Sequence, residues 1–597
     1  MKSIQKKGML AFAMSLIACF SFGTVTPAFS AKAEEKVTAD EELVVTYQPE
    51  NGVINAPTVV VDAKSEAALN DVISANEKPS NVILRIDAQC NIISASGDVI
   101  DSFADVYTAL DKKVIPVLYV AEEAQANAVI SYLTETKQIL DIAVMSNDAD
   151  LVGKIKEEYP SARGIVEFDG SQTKEEIVVD AQVNQAITVV VPQSFATVAN
   201  VSYLQGMFKT VWVRTDGMQE MQLADAVFSG AYGVVAENAK TVYDFYATLP
   251  ENTYVRTPFV VAHRADVQNC NENSLSGIYS ASEGGATHVE LDFHVTKDKE
   301  LVAMHDTSLT RTTNGTGDVK GMTLAQIQKF QIDDHATAEP EMIPTLEDCV
   351  RAILETDMIF ILELKCSGTE IVQIVYDKLK NDEELAPIFD RMVVITFYTN
   401  QLEEMKKVLP EVPTANLNSA TKSTFKSVLK WMGQYNTGID TSYGNLTESF
   451  QNDLKDRGII GWSYTHSTYN DVKNAQIQGL IGLTTNQPTT YKGEVKTVEG
   501  AKVSSIASLA KGDAVTLYVT SYDETLDIYE GEVVYLEETS NEYKVIAKIE
   551  MDGYQYFTQA FSIPKEKASG CGSVANAALI ASMAMMILAF KKSKKNF

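Results

Sequence analysis

The sequence predicts an α/β protein whose central unit is a closed parallel (β/α)8 barrel, the TIM barrel, at residues 258–490. One observation is the alternation of short β-branched runs with amphipathic stretches such as "TNQLEEMKKVL", whose apolar residues recur every three or four positions. The other is their number, because eight strand–helix units in about 230 residues are what such a barrel requires. The predicted strands are "FVVAH", "THVELDFHV", "MIFILELK", "RMVVITF", "PTANLN", "TGIDTS", "IIGWSYT" and "LIGLTTN".

Residues 36–250 show the same rhythm of short strands and helices. "DIAVMSNDADLVGKIKEEYP" from 141 and "RMVVITFYTNQLEEMKKVLP" from 391 can be laid over each other as strand, helix and proline. This similarity predicts an internal duplication, in which residues 36–250 form a degenerate TIM-like barrel. We call it the first barrel, and the barrel at 258–490 the second. The alternative is two unrelated α/β domains. Period-two alternation over 493–565 predicts a small all-β domain that serves as a spacer or a ligand-binding module.

Length and charge limit the classes of function. A chain of 597 residues is too long for a single core and predicts several domains. The excess of 80 acidic over 50 basic residues gives a net charge of -30, which argues against nucleic acid as a partner. It leaves a small phosphate-bearing substrate open, because a local cation overrides a diffuse acidic surface.

Both ends of the chain carry targeting signals. Residues 1–33 combine lysines, an apolar run and small residues, the layout of a signal peptide, with lipidation at Cys19 as the alternative. Residues 573–590 are 18 uncharged residues, followed by the basic tail 591–597. They predict a transmembrane helix with a cytoplasmic tail, so the body of the protein is expected outside the plasma membrane. A buried core helix is the alternative for 573–590.

Chemically active residues cluster at predicted strand ends. "VVAHRADVQNCNENS" ends a strand on His263 and Arg264 and then supplies Glu272 and Asn273. In the next strand, Glu290 and Asp292 project from one side, because side chains alternate along a strand.

Two paired carboxylates at a barrel mouth favour a hard divalent cation, Ca²⁺ or Mg²⁺. A second histidine, His305, follows another apolar run, and Glu363 and Lys365 share one face of a later strand. Cations can neutralise a phosphodiester in its transition state, and two imidazoles can accept and donate protons at neutral pH. The set therefore predicts phosphodiester cleavage.

This order of motifs resembles the glycerophosphodiester phosphodiesterase family. The matching signatures are His263-Arg264, Glu272-Asn273-Ser274, Glu290-Leu291-Asp292 with Thr296-Lys297-Asp298, His305-Asp306, "RTTNGTG" from Arg311, "IPTL" from Ile343 and Glu363-Leu364-Lys365. The resemblance implies a barrel enzyme that releases glycerol 3-phosphate and an alcohol, with an insertion at 306–342.

The resemblance also implies roles for individual residues. His263 and His305 would be the acid–base pair, and Arg264 and Lys365 would contact the phosphate. The metal ligands would be Glu290, Asp292 and Glu363. Glu272 would support the metal site or His263.

Other positions are departures from the family or additions to its pattern. Ala265 replaces a usual glycine, Asn271 a common proline and Asn486 a usual aspartate. His294 and Trp462 are further candidates for the substrate pocket.

The first barrel lacks the catalytic set. A loose overlay puts Arg85 and Tyr119 at the places of Glu290 and Glu363, with Asp87 matching Asp292. We therefore expect that barrel to hydrolyse nothing. Two other functions stay open for the whole chain: a phospholipase D-like or envelope glycerophosphate-polymer hydrolase, and a non-catalytic surface adhesion protein. The leaving alcohol, the choice of ion and the oligomeric state are not predicted.

Overall fold

The computed structural model describes residues 37–566, which form two closed parallel barrels and an antiparallel β-sheet. The predicted signal peptide at 1–33, the transmembrane helix at 573–590 and the basic tail at 591–597 all lie outside the described residues. Within the described part, no helix combines the length and the apolar character needed to cross a bilayer.

The first barrel contains eight parallel strands whose neighbours follow chain order and whose first strand pairs with both the second and the last. The strands are β1 (Thr58–Asp62), β2 (Asn81–Ile86), β3 (Ile115–Tyr119), β4 (Ala143–Ser146), β5 (Arg163–Glu167), β6 (Ala186–Pro192), β7 (Thr210–Arg214) and β8 (Gly233–Ala236). The helices are α1 (Glu66–Ser74), α2 (Phe103–Ala109), α3 (Glu123–Ser131), α4 (Ala149–Glu158), α5 (Lys174–Val183), α6 (Val198–Gly206), α7 (Glu220–Phe228) and α8 (Ala239–Thr248).

The second barrel closes in the same way, with its first strand pairing with both the second and the eighth. Its strands are β9 (Phe259–Ala262), β10 (His288–Val295), β11 (Ile359–Leu364), β12 (Met392–Thr396), β13 (Thr414–Asn416), β14 (Gly438–Ser442), β15 (Gly461–His466) and β16 (Gly482–Thr485). Its helices are α9 (Leu275–Glu283), α10 (Leu324–Ile327), α11 (Leu346–Leu354), α12 (Glu370–Leu379), α13 (Thr399–Val408), α14 (Phe425–Tyr435), α15 (Glu448–Lys455) and α16 (Tyr469–Ile477). The prediction of two barrels is confirmed.

The two segments that were overlaid in the sequence occupy the same place in each barrel. Residues 141–160 contain the fourth strand and the following helix of the first barrel, β4 and α4. Residues 391–410 contain the fourth strand and following helix of the second barrel, β12 and α13. The matching sequence pattern therefore corresponds to matching topology.

The two barrels pack with their N-terminal strand ends together. Near the start of β15, the Trp462 ring lies 4.3 Å from the Phe208 ring, which precedes β7. At the same contact, the Asp456 carboxylate of the second barrel accepts two hydrogen bonds from the first barrel. The donors are the hydroxyls of Thr58 (2.8 Å) and Ser80 (3.0 Å), near the starts of β1 and β2. Because the N-terminal ends meet, the C-terminal mouths of the two barrels face in opposite directions.

A buried ion pair joins the barrels beside this contact. Arg457 Nη2 lies 2.6 Å from Asp141 Oδ2, and both side chains are 1% exposed. Arg163 Nη1 lies 3.0 Å from the other oxygen of the same carboxylate. Such a charged group is tolerated inside a protein only when it is paired, so this contact ties the two barrels to one arrangement.

The antiparallel sheet includes more of the chain than the predicted 493–565 segment. Its strands there are β17 (Val495–Gly500), β18 (Ala514–Ser521), β19 (Leu526–Glu538), β20 (Glu542–Met551), β21 (Tyr554–Phe557) and β22 (Phe561–Pro564). The short strands Val53–Ile54 and Thr253–Tyr254, which flank the first barrel in the chain, extend the same sheet beyond β21. The all-β region is therefore joined to the first barrel by backbone hydrogen bonds.

Candidate active site

The predicted site residues stand at one rim of the second barrel, at the C-terminal ends of its first three strands. His263 directly follows β9, Glu290 and Asp292 lie in β10, and Glu363 lies near the end of β11. In the ladder between β10 and β11, Asp292 is the register partner of Glu363. The parallel register thus brings together carboxylates that are 71 positions apart in the chain.

Three carboxylates form a compact buried cluster. Oxygen atoms of Glu290, Asp292 and Glu363 lie within 4.8 Å of one another, and all three residues are buried. Burial, followed by the charge of Asp292, raises the pKa of Glu290 well above its usual range and that of Glu363 to about 7. Burial would also raise the pKa of Asp292, but Lys365 and Arg264 outweigh that effect and hold it below its ordinary value.

The cluster has the properties of a divalent cation site. Glu290 Oε1 is buried and accepts no hydrogen bond from the described residues, and the nearest partner of Asp292 Oδ1 is the ammonium of Lys365. Unsatisfied buried oxygens of this kind are costly, and hard oxygen ligands at such separations suit Ca²⁺ or Mg²⁺. The residues therefore fit the ion that the sequence predicts, and nothing in them selects between the two.

Two cationic side chains flank the cluster. Lys365 Nζ lies 2.7 Å from Glu363 Oε1 and 3.2 Å from Asp292 Oδ1. Arg264 Nε lies 3.5 Å from Asp292 Oδ2, and the backbone N–H of Arg264 donates to Glu290 Oε2 over 2.8 Å. Both predicted phosphate contacts thus border the predicted metal ligands.

The first histidine is held by an amide. His263 Nδ1 lies 2.6 Å from Asn486 Oδ1, just after β16. Burial, with a smaller contribution from the Arg264 charge, lowers the pKa of His263 to about 4. The imidazole is therefore neutral at pH 7.

The second histidine is held by a carboxylate. His305 Nδ1 lies 2.8 Å from Asp306 Oδ1. Arg311 Nε donates to Asp306 Oδ2 over 2.7 Å, and its Nη atoms donate to both oxygens of Glu272 over 2.6 and 3.0 Å. Arg311 thus joins Asp306 to Glu272 in one network of charged groups.

The Glu272 side chain lies beside two arginines. Besides Arg311, its carboxylate accepts from Arg264 Nη1 over 3.2 Å. It is not part of the three-carboxylate cluster, and no hydrogen bond among the described residues joins it to His263. Glu272 lies in a loop and contacts Arg264, which in turn borders Asp292, so its support of the metal site or of His263 stays a prediction.

Asn273 and His294 support the site through hydrogen bonds. Asn273 Nδ2 donates to Asp292 Oδ2 over 2.9 Å and Asn273 Oδ1 accepts from the Asp292 backbone over 3.0 Å. His294 Nε2 donates to the backbone carbonyl of His305 over 3.0 Å. Asn273 thus orients a carboxylate, and His294 fixes the segment that carries the second histidine.

Two departures from the family pattern have structural explanations. Arg264 and Ala265 both adopt left-handed backbone, with φ of 56° and 64°, which favours glycine and accounts for the usual residue after the histidine–arginine pair. The Asn271 amide is buried, donates to the Glu339 carbonyl (3.0 Å) and accepts from the His335 backbone (3.0 Å). Asn271 thereby fastens the insertion at 306–342 to the rim.

Trp462 does not line the substrate pocket. It is the second residue of β15 and is 1% exposed. Its ring stacks on Phe259 at 5.6 Å and contacts Phe208 of the first barrel. The expectation was wrong because the tryptophan lies at the start of the strand, at the end of the barrel away from the site.

Sequence reasoning missed several polar residues of the barrel. Asp306 and Arg311 lie within the family signatures, but the sequence alone does not indicate what either side chain does at the site. Asp440 and Asn416 are buried with side-chain atoms that find no partner among the described residues, and burial, then Glu363, raises the pKa of Asp440 to about 8. Their signal in the sequence was a polar residue within a short barrel strand.

The mouth of the first barrel is filled by ion pairs. Asp62 accepts from Arg85 (2.5 Å) and Arg214 (2.7 Å), and Arg214 also pairs with Glu167 (2.5 Å). The β2–β3 ladder pairs Arg85 with Tyr119 as the β10–β11 ladder pairs Asp292 with Glu363. Arg85 is thus equivalent to Asp292.

This register corrects the overlay made from the sequence, which put Arg85 at the place of Glu290. Asp87 lies beyond β2, where its carboxylate accepts from the Asn91 backbone over 2.8 Å. It therefore does not match Asp292. A guanidinium thus stands in the place of a metal ligand, and the absence of hydrolysis by the first barrel stays a prediction.

The parallel barrel, its carboxylate cluster and its similarity to named phosphodiesterases identify a phosphoric diester hydrolase. The model of the glycerophosphoryl diester phosphodiesterase family matches residues 263–490, and the second barrel is a domain of that family.

Individual relatives are similar over part of the chain. A glycerophosphodiester phosphodiesterase from Caldanaerobacter subterraneus is 29% identical over 39% of this chain and 95% of its own length. The human glycerophosphodiester phosphodiesterase 1 is 32% identical over 26% of this chain and 47% of its own length. A solved phosphodiesterase structure from Oleispira antarctica, in complex with the product sn-glycerol-3-phosphate, is 24% identical over 39% of this chain and 94% of that chain, with a TM-score of 0.36.

Proposed function

We propose that the second barrel hydrolyses glycerophosphodiesters to glycerol 3-phosphate and an alcohol, with the help of a divalent cation, Ca²⁺ or Mg²⁺. The observation that carries the proposal is the three-carboxylate cluster, which is bordered by Arg264 and Lys365 in a domain of this family. The names of the relatives support the substrate class.

The charges of the rim support a divalent rather than a monovalent ion. The cluster and its network contain five carboxylates and three cationic side chains, which leaves two negative charges when all are ionised. The five carboxylates are Glu272, Glu290, Asp292, Asp306 and Glu363, and the cations are Arg264, Arg311 and Lys365. One divalent cation would bring this sum to zero.

Each group then has a role in cleavage. A bound cation would supply positive charge next to a phosphoryl oxygen and so lower the energy of the transition state. Arg264 and Lys365 border the cation site and neutralise the other phosphoryl oxygens. His263 and His305 transfer protons to and from the attacking and leaving oxygens.

The test is the release of glycerol 3-phosphate by purified protein comprising residues 37–566. Wild type is compared with His263→Ala and Glu290→Ala, with added Ca²⁺ or Mg²⁺ and with a chelator. We expect His263→Ala to lose at least about 100-fold in rate, the usual contribution of a general acid or base. Absence of product from every glycerophosphodiester tested, with either ion present, would falsify the proposal.

A second arm addresses the size of the substrate. Choline release from glycerophosphocholine is compared with release from micellar phospholipid by the same protein. Faster release from the lipid would replace the proposed substrate with an intact phospholipid. Surface binding that persists in the chelator, without product under any condition, would favour adhesion.

We also propose that the protein is exported and anchored in the plasma membrane, with the catalytic barrel outside. The support is the sequence of residues 1–33 and 573–590, outside the described part. Protease treatment of intact cells should remove the barrels, and the membrane fraction should contain the undigested chain. Full protection of the barrels in intact cells contradicts the proposal.

A further inference from the structure

The two histidines of the rim are held in the same way by chemically different partners. In each, Nδ1 meets a side-chain oxygen: Asn486 Oδ1 at 2.6 Å from His263, and Asp306 Oδ1 at 2.8 Å from His305. One partner is a neutral amide and the other a carboxylate. A carboxylate carries a charge that can balance a positive charge beside it, and a neutral amide carries none.

The amide selects a tautomer of His263. An amide oxygen only accepts, so Nδ1 must carry the hydrogen and Nε2 keeps its lone pair. The backbone N–H of Asn486 donates to the His466 carbonyl over 3.1 Å, which fixes the turn after β16 that presents the amide. The arrangement prepares Nε2 of His263 to accept a proton.

The charged groups around His263 act in the same direction. Arg264 is adjacent and disfavours a second positive charge, and His305 adds to this effect, while Asp292 opposes it. Burial is the largest influence, and the pKa of His263 falls to about 4. The hydrogen bond with Asn486 raises the pKa of His263, but it carries no negative charge and does not outweigh burial and Arg264.

The environment of His305 has the opposite character. The two hydrogen bonds from Arg311, followed by the contact with His305, hold the pKa of Asp306 well below its usual range, so the carboxylate stays ionised. An ionised carboxylate only accepts, so Nδ1 of His305 carries a hydrogen and Nε2 is the atom left to exchange a proton with the substrate. The histidine side chain is 32% exposed, which allows exchange of that proton with water.

We propose that Asn486 is a positioning residue that makes His263 the general base, and that its counterpart Asp306 makes His305 the general acid. This assignment rests on the proposed function, since it concerns the same reaction.

The proton transfers balance as follows. The nucleophile, a substrate hydroxyl or a water, gives its proton to His263 Nε2 as its oxygen bonds to phosphorus. The bond between phosphorus and the departing alcohol oxygen breaks, and that oxygen takes the proton from His305 Nε2. After a hydroxyl attack, water opens the cyclic phosphate with the two histidines in exchanged roles. After a water attack, solvent returns both histidines to their initial protonation.

The test compares pH profiles of kcat/KM for Asn486→Asp, Asn486→Leu and Asp306→Asn. Asn486→Asp places a carboxylate at His263, so the acidic limb should move to higher pH by about one unit or more. Asp306→Asn should move the basic limb to lower pH and leave the acidic limb in place. Asn486→Leu should lower kcat by at least about tenfold while KM changes less than about twofold.

Gln487→Ala is the matched control, because Gln487 lies in the same turn and its side chain makes a single hydrogen bond within residues 37–566, to the Ser467 carbonyl at 3.4 Å. It should retain wild-type kcat and profile. Thermal melting of each variant separates loss of fold from loss of positioning, and if Asn486→Leu does not fold, the Asn486→Asp profile decides.

An unchanged acidic limb in Asn486→Asp, or a folded Asn486→Leu with wild-type kcat, would overturn the assignment. The assignment would also fall if Asn486→Asp moved the basic limb and Asp306→Asn moved the acidic limb. These results require an active wild type, whereas failure of the proposed function appears as a wild type that releases no glycerol 3-phosphate.

Discussion

Glu290→Gln should make the cation-free protein more stable and remove its response to the cation. Glu290 accepts from the Arg264 backbone, and its other oxygen has no hydrogen-bond partner among the described residues. Glutamine keeps the shape and the accepting oxygen but removes the charge. The substitution therefore tests the electrostatic cost of the cluster with little change in packing.

The magnitude follows from the spacing of the carboxylates. Two unit charges 4.8 Å apart repel by about 3 kcal/mol at an effective dielectric constant of about 20. Glu290 has two such neighbours, and Lys365 offsets part of the repulsion. We expect a gain of about 3 kcal/mol in the cation-free protein at pH 9, or roughly 6–12 °C in Tm for a domain of this size.

The gain should depend on pH in a defined direction. The pKa of Glu290 in the folded protein lies above its unfolded value of about 4.3. The protonated Glu290 side chain therefore contributes its full share of the folding free energy below the unfolded pKa. That contribution is lost as pH rises through the folded-state pKa. Accordingly, wild type and Glu290→Gln should differ little near pH 5 and most near pH 9.

The assay is thermal unfolding with a chelator, and then with increasing Ca²⁺ or Mg²⁺. Wild type should gain stability as the ion binds the folded state, and Glu290→Gln should gain much less. Glu403→Gln, at an exposed position of α13, is the control for loss of one acidic side chain. A variant no more stable than wild type in chelator at pH 9, or one with an undiminished cation response, refutes the reasoning.

Three further predictions concern the framework of the site. Asp141→Leu should lower the free energy of unfolding by about 3–5 kcal/mol in denaturant titrations, because it leaves the buried Arg457 without its partner; a loss below about 1 kcal/mol contradicts this. Trp462→Ala should lower the free energy of unfolding by about 3–5 kcal/mol in the same titration but leave the KM for glycerophosphocholine unchanged. A several-fold rise in KM would show that the ring does line the substrate pocket. Arg311→Met should lower kcat at least about tenfold while calorimetric cation affinity changes little, and an unaltered kcat counts against the network.

The catalytic rim was largely predictable because its residues follow two local rules. Side chains alternate along a strand, which put Glu290 and Asp292 on one side, and barrel sites form at C-terminal strand ends. The family signatures then supplied the order of the strands. Their convergence needed no knowledge of loop structure, since the parallel register of β10 and β11 enforces it.

Less could be predicted where the position of a residue depends on contacts between distant segments of the chain. Glu272 belongs to a loop, and its position beside Arg311 depends on how the insertion at 306–342 folds over the rim. The sequence predicted a strand at Trp462 but did not give its starting residue, and a shift of a few residues moves a side chain from the mouth to the floor. The strand Thr253–Tyr254 joins the β-sheet through pairings too short to show an alternating pattern.

The packing of the two barrels suggests why a barrel with a closed mouth accompanies the catalytic one. The match to the Caldanaerobacter relative covers 95% of that protein but 39% of this chain, so nearly the whole relative matches a stretch of 233 residues, about the length of one barrel. Here the floor of the catalytic barrel is covered by Phe208 and by the Gly206 carbonyl, which accepts from His288 Nε2 over 3.1 Å. His288 begins β10, the strand that carries Glu290 and Asp292. The first barrel therefore contacts the lower end of the strand whose upper end holds the carboxylate cluster, and a mechanical rather than a chemical contribution to catalysis is what we expect of it.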